Sequence, residues 1–180
     1  MPRTLTRRSP NRFRTQFRET GAGPYDAELT EAGITPRVEL DEIGPVEPPA
    51  AAIERLQLGT GDRALIRRRR MYADDRPAQL ATSYVPWSLA EGTQMTQPDT
   101  GPGGLYSRLA EAGHGPVRFK EEVSARLPEP HERDFLGVPS SQPVLSIIRT
   151  AFEESGRAVE TCEQVVGAGD WLLVYEFSAD

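Results

Sequence analysis

The sequence predicts an α+β fold, a mostly antiparallel sheet of about six strands with a few short helices. Three observations carry this. Residues Arg63–Trp87 read RALIRRRRMYADDRPAQLATSYVPW, two arms rich in strand-forming residues around an Asp-Asp-Arg-Pro turn. The run Val144–Glu153 and the run Arg157–Val166 repeat that design around Glu154-Ser155-Gly156. Between the strands lie short helix-spaced segments bounded by Pro and Gly, too short to be more than connectors.

Taken in order, residues 1–20 read as a basic arm, separate from a domain over 21–180. Residues 1–18 hold Arg3, Arg7, Arg8, Arg12, Arg14 and Arg18 and no acid, so the rest of the chain carries −12 against a total of −6. The arm is expected to lack structure, apart from a short helix at 11–19, with Phe13 and Phe17 as its apolar anchors. Two roles fit it: contact with nucleic-acid phosphates by counterion release, or a plain linker. An acidic body does not suit nucleic-acid binding.

Val38, Leu40 and Ile43 then mark a strand, Pro45, Pro48 and Pro49 a loop, and Ala50–Leu58 a helix with Ile53 and Leu56 on one face. In the hairpin, Asp side chains bond their own backbone and Pro77 presets φ. A turn centred on Asp75 places Arg69 opposite Ala81, Met71 opposite Gln79 and Arg67 opposite Ser83. Alternation puts Arg67 and Arg69 on one face and Arg68 and Arg70 on the other. One pair can sit on a wet face; the other either does the same or lines a polar cavity, where a buried guanidinium needs an anion.

Residues 88–104 read as loop. Gly103-Gly104 then opens a helix through Leu105 and Leu109 to Gly113, a start where backbone N–H groups are open to an anion or are simply capped by glycine. Val117–Leu127 alternates as a strand, with Glu121 breaking the apolar face, read as a register break rather than a pocket residue. Pro128–Leu136 is a short helix. In the second hairpin Glu160, Cys162, Gln164 and Val166 share a face. Trp171–Phe177 is the last strand, with Trp171, Leu173, Tyr175 and Phe177 together.

The composition sets limits. A chain of 180 residues, 37% hydrophobic and 27% charged, suits one globular body with a core. No apolar run approaches the ~20 residues of a membrane-spanning helix, and no secretory leader is visible. The single Cys162 cannot form an internal disulfide, which fits a reducing cytoplasm. Two His and one Cys, far apart, argue against a zinc site, and no cofactor motif appears.

The hairpin resembles the signature of the UTRA domain, the effector-binding domain of HutC-type GntR transcription regulators. Arg69-Arg70-Met71-Tyr72-Ala73-Asp74-Asp75-Arg76-Pro77 and Leu80-Ala81-Thr82-Ser83-Tyr84-Val85-Pro86 follow its pattern. So does the string from Pro48 to Asp62, and so does Gly156-Arg157-Ala158-Val159-Glu160 with Gly169-Asp170-Trp171. The resemblance implies a chorismate-lyase-like architecture and an effector site built from Arg69, Met71, Ala81, Ser83, Gly104, Tyr106, Glu160 and Val166. Tyr106 and Glu160 match residues that touch effector in the family. Gly104 stands for a serine, Val166 for a tyrosine, Met71 for an arginine and Ala81 for a glutamate.

The resulting expectation is a small-molecule sensor, not an enzyme. Its effector is anionic or amphoteric: a carboxylate, a phosphorylated sugar or an amino-acid-like molecule. With methionine unable to act as a bidentate donor, the pocket favours a more apolar effector with one acidic group. A homodimer is expected, because a regulator of palindromic operators is two-fold symmetric. DNA contact is expected only through a winged-helix domain, of which no pattern precedes the arm. The rivals are a chorismate-lyase-like enzyme, against which stands the lack of an acid/base pair, and a stand-alone interaction module using the basic arm.

Overall fold

The computed structural model describes residues 4–9 and 23–176. The chain runs β1 (Leu5–Ser9), α1 (Pro24–Glu31), β2 (Pro36–Val46), α2 (Ala50–Leu56), β3 (Ala64–Ala73), β4 (Arg76–Pro86), α3 (Trp87–Ala90), a 3-10 turn (Gln94–Thr96), α4 (Gly104–Glu111), β5 (Arg118–Arg126), α5 (Pro130–Leu136), β6 (Val144–Phe152), β7 (Ala158–Gly167) and β8 (Trp171–Tyr175). Six strands form one antiparallel sheet in the order β2-β3-β4-β7-β6-β5. The expected α+β class and its mostly antiparallel sheet are therefore present.

The first hairpin turns on two residues. Asp74 and Asp75 both take left-handed φ, 48° and 60°, which aspartate tolerates better than most side chains. A two-residue turn pairs Ala73 with Arg76 and Tyr72 with Pro77. The register then shifts, so that Met71 faces Gln79, Arg69 faces Ala81 and Arg67 faces Ser83, as the sequence predicts. A bulge, not a longer turn, supplies the extra residue; Pro77, which has no N–H to donate, sits beside it.

β1 departs from expectation. Residues 1–20 are predicted to lack structure, yet Leu5–Ser9 forms a strand parallel to β8, from Leu5 beside Trp171 to Ser9 beside Tyr175. Leu5 and Arg7 point inward and are buried while Thr6 and Arg8 are exposed. Only a partner remote in sequence makes this a strand. The predicted helix at 11–19, its anchors Phe13 and Phe17, and Phe177 lie outside the described residues. Glu121 is a second correction: the β5–β6 register runs unbroken from Arg118 to Arg126, and Glu121 stands opposite Arg149. The reading missed α1, whose proline at the first position and Asp26 in the first turn are ordinary helix-start signals.

Two apolar clusters cover the inner face of the sheet. One gathers Leu5, Tyr25, Leu29, Met71, Ala81, Ile147, Val166 and Trp171 under α1 and the β1–β8 pair. The other gathers Leu65, Val85, Met95, Tyr106, Leu109 and Val159 under α3 and α4. Fully burying a side chain such as Leu109 contributes about 2 kcal/mol. The opposite face carries a smaller cluster, Val138, Val144 and Val165, beside α5. Among the described residues no helix is long and apolar enough to cross a membrane.

Candidate functional site

Between the two inner clusters the sheet is polar. Cross-strand registers place Arg67 beside Ser83, Ser83 beside Cys162, Cys162 beside Arg149 and Arg149 beside Glu121. Five strands thus deliver one row of polar side chains to one face. Above it opens a cavity of about 550 Å³, walled by Tyr25 and Asp26 of α1, Val38 and Leu40 of β2, Pro98–Gly101, and Gly104–Tyr106 of α4. Its floor holds Arg67, Arg69, Met71, Arg149 and Glu160.

Glu160 is the centre of the floor and is 1% exposed. Ser83 Oγ donates to its Oε1 at 2.8 Å, Tyr106 OH donates to its Oε2 at 2.6 Å, and Arg149 Nη2 lies 3.7 Å from Oε2. A buried carboxylate is tolerable only when so satisfied. Burial first, then the adjacent Glu160, push the Tyr106 phenol well above its ordinary range, so it remains a donor. Burial works against the charge of Arg149, but Tyr106, Glu160, Cys162 and Glu121 outweigh it and raise its pKa. Its guanidinium also lies 5.4 Å from the Tyr106 ring centre.

The two inward arginines of β3 differ. Arg67 donates to the carbonyls of Met95, Gln97 and Pro98 at 2.8, 2.6 and 2.9 Å, pinning the segment that walls the cavity. Burial and the neighbouring Arg69 pull its pKa down to about 10, still cationic at neutral pH. Arg69 donates from Nη2 to Ser83 Oγ at 2.6 Å, and its buried Nε makes no hydrogen bond among the described residues. Asp26, across the cavity, has its carboxyl raised by burial, with the Gly23 N–H and Arg69 opposing the shift.

Gly103 and Gly104 adopt φ of 79° and 66° at the start of α4, a bend that residues with a Cβ rarely make. The first turn of α4 leaves N–H groups without intrahelical acceptors at the cavity wall. Of the residues the sequence singles out, Arg69, Met71, Gly104, Tyr106 and Glu160 line the cavity. Ser83 is fully buried behind it, joining Arg69 to Glu160. Ala81 and Val166 do not line it; both are sealed in the cluster with Leu5 and Trp171. Cys162 is buried, 3.8 Å from Arg69 Nη2.

Sequence reasoning missed Arg149 and the α1 wall. Arg149 had a signal: it is the lone charge in VLSIIRTAF, and the register of the second hairpin places it beside Cys162. Glu129, His131 and Glu132 on the other face come within metal-ligand reach of one another. There, however, Glu132 is committed to Arg126, with both hydrogen bonds at 2.6 Å, and to the Glu129 N–H, an ordinary helix cap.

Residues 31–168 match the family model described as the UTRA domain. The chain is 28% identical over 138 residues to an HTH-type transcriptional regulator of Streptomyces coelicolor, itself uncharacterised, covering 75% of this chain and 51% of that protein. It is 24% identical over 160 residues to the HTH-type transcriptional repressor NagR of Bacillus subtilis, covering 86% of this chain and 63% of NagR. This chain therefore spans only 51% and 63% of those relatives' lengths. Among solved structures, one described as a GntR-family transcriptional regulator superposes with a TM-score of 0.84 at 27% identity, covering 100% of this chain and 71% of that one. PhnF from Mycobacterium smegmatis gives 0.81 at 16% identity, covering 98% of this chain and 73% of PhnF.

Proposed function

We propose, from the premise that this chain belongs to the UTRA domain family, that its cavity binds a small effector carrying one acidic group and that Arg69 reads that group. The observation that carries this is Arg69 itself. It is half-buried on a cavity floor, its nearest hydrogen-bonded groups are a hydroxyl and a thiol, and its Nε has no acceptor among the described residues. A planar guanidinium in that state suits a carboxylate or phosphate. The N–H groups at the start of α4 lie on the same cavity.

Met71 on the cavity floor, in place of the family's arginine, favours an effector with substantial apolar surface. Glu160 is better read as a scaffold than as a ligand contact: its two oxygens are already held by Ser83 and Tyr106, leaving Tyr106 and Asp26 as polar contacts for the rest of the molecule. With both oxygens so held, Glu160 is also not poised as a base, which favours binding over turnover. We place the domain in a cytoplasmic transcription regulator of the GntR family, HutC type. It acts there as a homodimer and reaches DNA through a separate winged-helix domain.

A thermal-shift screen of carboxylates, phosphosugars and amino acids tests the effector reading, because a ligand that binds the native state raises its melting temperature. A hit is expected to lose its shift in Arg69→Ala. Shifts that survive that substitution, or no shift with any acidic compound, would sink the assignment. Light scattering at high micromolar concentration is expected to give the dimer mass.

A further inference from the structure

Among the described residues Arg7 heads the fully buried side chains by volume, yet it sits on a five-residue strand. Among the described residues β1 pairs with β8 alone, and neither belongs to the six-stranded sheet. A two-stranded ribbon is marginal by itself, and Leu5 and Arg7 are the buried side chains described on β1. Beside the backbone pairing with β8, those two are the described side chains that attach the strand.

Arg7 reaches toward the cavity along three lines. Its Nη2 donates to Gln79 Oε1 at 2.6 Å, and Gln79 Nε2 donates in turn to the sulfur of Met71, on the cavity floor, at 3.1 Å. Its Nε lies 3.5 Å from Glu28 of α1, the helix whose first turn contributes Tyr25 and Asp26 to the wall. Its charge is also felt by the half-buried Glu121 and the buried Arg149, the latter on the floor beside Glu160. Nη1 donates to Gln164 Oε1 at 2.9 Å, and the guanidinium stands 4.7 Å from the Trp171 ring centre.

We propose that Leu5–Ser9 is a strap whose docking is coupled to occupation of the cavity, with Arg7 as the coupling residue. An anion in the cavity tightens the strap, and the docked strap tightens the anion. The proposal rests on the reading of the cavity as an anion site. Its sign follows from two effects that agree. Arg7 neutralises the buried Glu28 carboxylate, which would otherwise repel an anion entering the low-dielectric interior beside Arg69 and Arg149. Mechanically, the Arg7–Glu28 ion pair holds α1, and with it the cavity wall, in place. Linkage requires the effect to be equal in both directions.

The test uses the full chain, inorganic phosphate as probe, and the variants Arg7→Gln, Arg7→Lys and Arg69→Ala. Calorimetry is expected to show phosphate binding weakened about tenfold by Arg7→Gln, within the usual range of allosteric coupling, less by Arg7→Lys, and abolished by Arg69→Ala. Saturating phosphate is expected to slow hydrogen exchange at the Thr6–Arg8 amides by a matching factor. Equal phosphate affinity in wild type and Arg7→Gln overturns the coupling; should Arg7→Gln not fold, the same comparison is made with Arg7→Lys. If Arg69→Ala leaves phosphate binding intact, or wild type binds none, the anion-site reading fails instead. The strap is then judged without ligand: Arg7→Gln must speed exchange at the Ala27 and Glu28 amides of α1, and unchanged rates there overturn it.

Discussion

Four consecutive arginines of β3 have two different fates. On the outer face, Arg68 meets Glu42 at 2.6 Å and Arg70 meets Asp41 at 3.0 Å, each arginine side chain 49% exposed. On the inner face, Arg67 is 5% exposed and clamps three carbonyls, while Arg69 has a hydroxyl and an Nε with no acceptor among the described residues. The residue type is the same and the backbone is continuous; the strand period of two separates them. A cation that keeps its water exchanges one weak partner for another, whereas one that loses it must find acceptors or await a ligand. Arg67 is therefore committed to structure, Arg69 is the one left for the ligand role proposed above, and the outer pair keeps its water.

The largest expected effect breaks the inner side. Arg67→Ala removes three charged hydrogen bonds and frees the Met95–Pro98 segment, so urea unfolding is expected to show a loss of about 3 kcal/mol. A loss under about 1 kcal/mol would place Arg67 with the outer pair. Arg69→Ala sharpens the contrast between neighbours: effector affinity is expected to fall by about 1.5–3 kcal/mol, the scale of a charged hydrogen bond, with the unfolding midpoint nearly unchanged. If stability falls as it does for Arg67→Ala, the guanidinium is a structural clamp.

Arg68→Ala and Arg70→Ala are each expected to shift stability by about 0.5 kcal/mol or less, an effect that shrinks further in 1 M salt. A salt-independent loss would show that the outer face is not solvated as described. The smallest effect concerns pH on that same face. Burial opposes the Glu132 charge, but Arg126 and the Glu129 N–H prevail and lower its pKa. A lowered folded value means that its stabilisation is present above the ordinary glutamate range and is lost as pH falls through the lowered value. Glu132→Gln is expected to flatten the acid limb of melting temperature against pH; an unaltered acid limb refutes this.

The hairpin register was legible because it is local. Pairings such as Arg69–Ala81 follow from turn chemistry and alternation over a dozen or so residues, although a bulge and not the turn supplies the final residue of offset. The meeting of Arg69, Tyr106 and Glu160 at one cavity came from resemblance rather than from any local pattern. Ala81 and Val166 show the limit of that carry-over: both face inward, but short side chains at those positions are covered by Trp171 and α1 before they reach the cavity.

By itself the sequence determined the class of fold and, for the two hairpins, which side chains share a face, because both depend on periods and turns within a few residues; which pair of β3 arginines turns inward it left open. Only the tertiary structure decided that Leu5–Ser9 is a strand, that Arg7 meets Gln164 across 157 positions of sequence, and that Arg149 joins Glu160 under α4. Nothing local distinguishes Arg7 from Arg8. Burial is settled by which surfaces the rest of the chain leaves open, and a parallel partner remote in sequence has no signature in the segment it captures.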